Sequence, residues 1–227
     1  MNIAIIPARG GSKRIPQKNI KDFCGKPIIA WSIELAIKSN LFDDIIVSTD
    51  DKKIIEIANY YGAKTPFIRP QNISDDLTPT VPVISHALGE MGLIGKYYKF
   101  ACCIYPCSPF MQIDDLKRAI DILTSKQVDY VYPVTEYQHP IQRCLKFSKS
   151  NMKFMFPEHE LTRTQDLERM YHDTGQFYWG KSNSWTAGIK MHSNGFGLEI
   201  PNWRVVDIDN QDDWTRAEII FKSFFQK

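Results

Sequence analysis

The stretch that most constrains this chain is its opening run, MNIAIIPARGGSKRIPQKN. The apolar residues over 3–6 have the length and branching of a buried strand, and Pro7 closes it. A loop follows that holds Arg9, Gly10, Gly11, Ser12, Lys13, Arg14 and Lys18. Adjacent glycines permit a tight turn with exposed amides, and four cationic side chains crowd around it. Such a loop predicts a polyphosphate site, because amides and Lys/Arg together offset the charge. A solvated basic connection between strand and helix is the plain alternative. Glycines set directly against the charges favour the phosphate.

The loop is neither of the two commonest phosphate-binding patterns. No Gly-Lys-Ser/Thr stands at the spacing of GxxxxGK[ST], and adjacent Gly10 and Gly11 do not make GxGxxG. Downstream, helical spacing runs over 27–38, a strand over 45–47 ends in the polar run 48–51, and a second helix covers 52–61. Strand–helix alternation of this kind predicts parallel strands joined by crossovers, with ligands at their carboxyl ends beside Arg9 and Asp50. A polar loop over 67–80 leads to a helix over 81–91, then a fully apolar strand over 100–105, a helix over 114–125 and a strand over 130–134. From 138 to 170 the alternation stops, which marks an insertion that leaves the main sheet. The run 175–180 reads as a strand, 205–209 as a late strand and 212–225 as a closing helix.

Composition narrows the class. A chain of 227 residues holds one well-buried α/β domain plus a modest insertion. A net charge of +2, with the basic residues locally clustered, argues against a nucleic-acid surface. No apolar stretch reaches the ~20 residues of a membrane helix, and the N-terminus lacks a signal-peptide pattern. The five cysteines form neither a disulfide framework nor a zinc spacing, so free thiols in a reducing cytoplasm are expected. Cys107, between Pro106 and Ser108, has no evident base nearby and makes a weak nucleophile candidate.

Two further constellations carry chemistry. Asp207 and Asp209 stand at i and i+2 on the expected strand, so both carboxylates face one side while Val206 and Ile208 face the other. Two close carboxylates repel unless a cation lies between them, and oxygen ligands beside phosphates suit Mg²⁺. Capping of the last helix is the alternative, a role that Asp212 could fill instead. Arg69, before Pro70, is placed for a base or phosphate contact. Arg163, Gln165, His172, Asp173, Gln176 and Tyr178 form a polar cluster suited to a polyhydroxylated acid. Phe177 and Trp179 are expected in the core.

The segments IPARGGSKRIP, KNI, VSTDD, RP, SPF and VDIDNQDD resemble, in order and spacing, the sugar-activating cytidylyltransferases that make CMP-linked nonulosonic acids. The resemblance runs through nearly the whole chain. It implies a Rossmann-like α/β nucleotidyltransferase: a mostly parallel central sheet flanked by helices, one domain over 1–227, and a dimerisation arm over 138–170 in a homodimer. Its substrates would be CTP and a nonulosonic acid, with no nucleic acid or membrane partner. Arg9, Lys13, Lys18 and Asn19 would hold the triphosphate, and Arg69 and Thr80 would seat the cytidine. Asp207 and Asp209 would bind Mg²⁺, with Lys18 and Asp209 the candidate catalytic pair and Asp209 also the candidate to draw the proton from the anomeric hydroxyl. Arg143 or Arg163 would serve the neighbouring subunit's sugar. One departure stands out: Tyr105 occupies the position where sialic-acid enzymes commonly carry glutamine. With TQDLERMYHDTGQFYWG and HPIQR, it resembles the pseudaminic acid branch of that family, found in bacteria that glycosylate flagellin or surface polysaccharide. Legionaminic, sialic and 3-deoxy-manno-octulosonic acids remain alternative sugars, and a CTP-sensing module remains the non-enzymatic alternative.

Overall fold

The computed structural model describes residues 1–225. Branched apolar residues drive the first strand, β1 (Asn2–Pro7), whose alternate side chains enter two separate cores. After the basic loop come a two-residue hairpin of β2 (Asp22–Phe23) and β3 (Lys26–Pro27) and the helix α1 (Ile28–Ser39). Then follow β4 (Asp44–Ser48), α2 (Lys52–Tyr60), α3 (Thr80–Leu93), β5 (Phe100–Ile104), α4 (Ile113–Ser125) and β6 (Tyr130–Glu136). The insertion contributes β7 (Leu145–Ser148) and β8 (Asn151–Phe154). The chain closes with β9 (Tyr171–Asp173), β10 (Phe177–Lys181), α5 (Ser182–Thr186), β11 (Gly195–Glu199) and α6 (Gln211–Phe225).

The main sheet has seven strands, ordered β11-β6-β10-β5-β1-β4, with β9 paired to β6. β4, β1 and β5 run parallel, as do β6 and β11; β10 lies antiparallel between β5 and β6. The sheet is therefore mostly parallel, as expected, with β10 and β9 reversed. One face packs Ala4, Ile6, Val47, Cys102 and Trp179 against α1, α2 and α4. The other packs Ile3, Ile5, Ala101, Cys103 and Tyr178 against α3 and α5. Phe177 and Trp179 are fully buried, as expected. No described helix is long and apolar enough to cross a membrane.

Two readings of the sequence need correction. The segment 205–209 joins no strand ladder. Its backbone groups are used locally: Val205 N–H donates to the Asn202 carbonyl (2.9 Å), Asp209 N–H donates to the Asp213 carboxylate (3.0 Å), and the Ile208 carbonyl accepts from Lys18 Nζ (2.7 Å). The helix α6 is capped by Asn210, whose Oδ1 accepts from the amides of Asp212 and Asp213, and not by Asp212. The strand β11 was not foreseen. Gly195 and Gly197 look like breakers, yet a Cβ there would lie 2.6 Å from Tyr132 Cε1 and 2.9 Å from Val134 Cγ2 respectively. The glycines admit the β6 side chains.

Within 138–170 the chain forms a separate two-stranded sheet. β7 and β8 pair only with each other, and they and their flanks expose Phe147, Met152, Met155 and Leu161.

Candidate active site

The parallel strands end at a common edge, where a cleft of about 280 Å³ opens. β1 delivers Arg9 and Ser12, and the turn after β5 delivers Tyr105, Cys107 and Ser108. Because β10 is reversed, its beginning reaches the same edge and brings Gln176 there. The Gln176 carbonyl accepts from Tyr105 N–H (2.9 Å) and Ser108 Oγ (3.4 Å). Lys18, Asn19, Arg69, Thr80 and Asp207 complete the polar lining.

The basic loop is built differently from the simple turn read in the sequence. Gly10 is required by close packing: a Cβ there would sit 2.6 Å from Asp51 Oδ2 and 2.8 Å from its Cβ. Asp51 is held in place because it caps α2 through the amides of Lys53 and Ile54. Gly10 N–H donates to Asp50 Oδ1 (2.9 Å), and Ser12 N–H donates to the Gly10 carbonyl (3.0 Å). These two amides are therefore engaged within the protein, and the cationic side chains carry the positive potential. Gly11 faces open space. Asn19 is buried and ties the loop together, its Nδ2 donating to the Arg9 carbonyl (2.9 Å) and its Oδ1 accepting from Cys107 Sγ (3.4 Å). Burial pushes the Cys107 thiol up to about 12, so it stays protonated, which argues against a nucleophilic role.

Arg69 is the most informative side chain in the cleft. It is 4% exposed, and its Nε and Nη2 have no hydrogen-bond partner. Its backbone is pinned beside β4 by Arg69 N–H donating to the Thr49 carbonyl (2.8 Å). Burial lowers its affinity for the proton, with Asp50 opposing and Arg9 adding to the effect. A buried guanidinium with free donors calls for an acceptor from outside the chain.

Of the acidic pair, Asp207 lines the cleft and Asp209 lies outside its lining. Ile208 is buried with Phe23, Trp214 and Phe221, which turns Asp207 and Asp209 outward on the same side. The carboxyl of Asp207 is raised above the usual range, first by burial and then by the charge of Asp209. Asp209 pairs with Arg14 Nη1 (2.8 Å) and lies 3.8 Å from Lys18 Nζ. Among the described residues no group of three or more metal-binding side chains gathers. A cation here would rest on two carboxylates and oxygens brought by the ligand, a donor set that fits a hard divalent ion.

The polar cluster read from the sequence divides. Tyr105 and Gln176 line the cleft. The Tyr105 hydroxyl, pushed up to about 12 by burial, shares a hydrogen bond with Thr80 Oγ1 (2.7 Å). Gln176 Oε1 is buried without a partner. Tyr178 stands behind Tyr105, ring centroids 5.5 Å apart, and donates to Asp173 (2.7 Å). Asp173 also holds the amide of Gly175 (2.8 Å), while His172 turns back on the Asp173 carbonyl. Arg143, Arg163 and Gln165 belong to the insertion and do not line the cleft. Arg143 donates to the Thr162 carbonyl, and Arg163 pairs with Asp166. Lys13 lies outside the lining and pairs with Asp76 (2.5 Å), as does Arg9. Asp76 was not foreseen, since two aspartates in a polar loop look like solvated turn residues.

A family model described as Cytidylyltransferase matches residues 3–187. The chain is 43% identical over 225 residues to the pseudaminic acid cytidylyltransferase of Campylobacter jejuni subsp. jejuni serotype O:2, covering 97% of this chain and 96% of that protein. It is 34% identical over 135 residues to the CMP-N,N'-diacetyllegionaminic acid synthase of Legionella pneumophila, covering 59% of this chain and 58% of that one. Among solved structures, CMP:2-keto-3-deoxy-manno-octonic acid synthetase complexed with CTP superposes with a TM-score of 0.70 at 14% identity, over 98% of both chains.

Proposed function

The chain belongs to the cytidylyltransferase family, and from that membership we propose that its cleft transfers CMP from CTP to the anomeric hydroxyl of pseudaminic acid. The bond formed joins the anomeric oxygen to the α-phosphorus. The bond broken links that phosphorus to the bridging oxygen of pyrophosphate, which leaves, and the hydroxyl proton passes to a base. The observation that carries the sugar assignment is the end-to-end likeness to the Campylobacter jejuni enzyme, against a partial one to the legionaminic acid synthase.

In this reading Arg9 and Lys18 take phosphate oxygens and Arg69 supplies its free donors to the nucleotide. Asn19 holds the loop that presents these cations. Asp207 and Asp209 hold Mg²⁺, which when bound neutralises charge on the phosphates. Asp209, paired with Arg14 and 3.8 Å from Lys18 Nζ, is the carboxylate assigned to take the hydroxyl proton. Preorganised cations and positioning supply most of the rate, as in other phosphoryl transfers. Tyr105 and Gln176 border the sugar end, where the unpartnered Gln176 Oε1 accepts from a hydroxyl or amide N–H. The expected result is pyrophosphate release from CTP and Mg²⁺ with pseudaminic acid, at a kcat/KM at least about 10²-fold above N,N'-diacetyllegionaminic or N-acetylneuraminic acid. Release with another acid alone would remove the sugar assignment. Binding of CTP with no release from any acid would favour the sensing module.

The insertion serves as a dimer arm in this reading, and the exposed Phe147, Met152, Met155 and Leu161 support it, because apolar side chains grouped this way ordinarily face a partner. Cysteines that form no disulfide among the described residues support a reducing, cytoplasmic setting. A double variant, Phe147→Glu with Met152→Glu, is expected to halve the mass measured by light scattering. A dimer that survives both charges, or a monomeric parent, would rule the arm out as the interface.

A further inference from the structure

Two of the cations expected at the phosphates are already occupied. Arg9 and Lys13 converge on one carboxylate, that of Asp76, with Lys13 Nζ 2.5 Å away. Asp76 lines the same cleft as Arg9, Lys18 and Arg69. It comes from a strap over 70–79 whose shape is fixed independently of the cations. Ser74 Oγ donates to the Pro70 carbonyl (2.9 Å), and Asp75 Oδ1 accepts from Leu77 N–H (3.0 Å), Thr78 N–H (2.7 Å) and Thr78 Oγ1 (2.6 Å). Neighbouring aspartates thus have separate tasks: Asp75 folds the turn, and Asp76 is presented at its tip. The two cations hold the Asp76 carboxyl below the usual range, so it is an anion throughout the neutral range.

We propose that Asp76 is a built-in competitor for the phosphates, occupying Arg9 and Lys13 until a triphosphate displaces it and retaking them as pyrophosphate leaves. The inference rests on the functional reading above. The physical reason is an exchange of anions. Without Asp76, Arg9 in the cleft and Lys13 outside its lining would repel each other in the ligand-free protein, and departing pyrophosphate would leave two uncompensated charges. With it, the cations that pyrophosphate releases meet a carboxylate already in position. The cost is weaker binding of both CTP and pyrophosphate, and the gain is faster product release. Both partners of the Arg9–Asp76 pair are about one-third exposed, at 32% and 35%, which keeps the competition modest.

The test is calorimetric titration of pyrophosphate and of CTP, each with Mg²⁺, into the parent, Asp76→Asn and Asp76→Glu proteins. Steady-state inhibition by pyrophosphate is measured alongside. Asp76→Asn is expected to bind pyrophosphate about three- to tenfold more tightly, with KM for CTP and kcat both falling. Asp76→Glu, which restores the carboxylate, is expected to return the parent values. Unchanged or weaker pyrophosphate binding by Asp76→Asn, beside a parent protein that binds both ligands, would overturn this inference alone. A parent that binds neither ligand would overturn it together with the functional reading.

Discussion

An Asp209→Asn enzyme is expected to turn over about 10²- to 10³-fold more slowly than the parent at saturating CTP and sugar, with its fold intact. Asparagine keeps the shape of the side chain and removes one of two charges from the acidic pair. The ion pairs that Asp209 makes with Arg14 and Lys18 are partly exposed and contribute at most about 1 kcal/mol, so thermal stability changes little. The loss falls on the chemistry instead, for two reasons. The charge available to a divalent cation drops from two carboxylates to one, and the carboxylate assigned to take the proton disappears. Asp207 is left as the single carboxylate facing the cation, relieved of the repulsion of Asp209. Residual activity should therefore require a higher Mg²⁺ concentration for half-maximal rate. Pyrophosphate release across a Mg²⁺ titration measures both effects. Parent-like turnover with an unaltered Mg²⁺ requirement would remove Asp209 from the metal and from the catalytic pair.

How much of this site can be read in the sequence follows from the range of the interactions involved. Asp207 and Asp209 share a side because Ile208 between them is buried, and that alternation belongs to extended backbone whether or not a ladder forms. The face was legible although the strand was not, because ladder pairing depends on distant residues. The same distinction explains the basic loop. Its position after β1 was local information. The reason for Gly10 lies forty-one residues on, in the side chain of Asp51, and Gly10 N–H is taken by Asp50. Asp76 was illegible because its partners Arg9 and Lys13 lie across three strands, two helices and a loop. Arg163, Gln165 and Gln176 looked like one cluster because they are near in sequence, yet the first two ride on an insertion whose strands pair only with each other. The direction of β10 was illegible for a related reason. An apolar run shows that a strand is buried, but not which way it runs between its neighbours.

Arg69→Met is expected to move stability and function in opposite directions. In the ligand-free protein the guanidinium is enclosed, with Nε and Nη2 unpaired, and nearby Asp50 offsets its charge without hydrogen-bonding those two nitrogens. Burying unpaired donors and a charge costs free energy that methionine, of similar length and apolar, does not incur. A gain of about 1 kcal/mol is expected, which raises Tm by about 2–4 °C for a chain of this size. The bound state loses by the same substitution. If Arg69 supplies its donors to the nucleotide, their removal leaves the ligand's acceptors unpaired in a dry site, and kcat/KM for CTP falls by about 10² or more. A purely structural arginine gives the reverse pattern, with lower Tm and unchanged kinetics, because its loss would break contacts the fold needs. Differential scanning fluorimetry with CTP absent and present separates the two. The variant should start higher than the parent and gain far less on adding CTP, since stabilisation by a ligand scales with its affinity. Equal CTP-induced shifts in both proteins would show that the free donors of Arg69 do not meet the nucleotide.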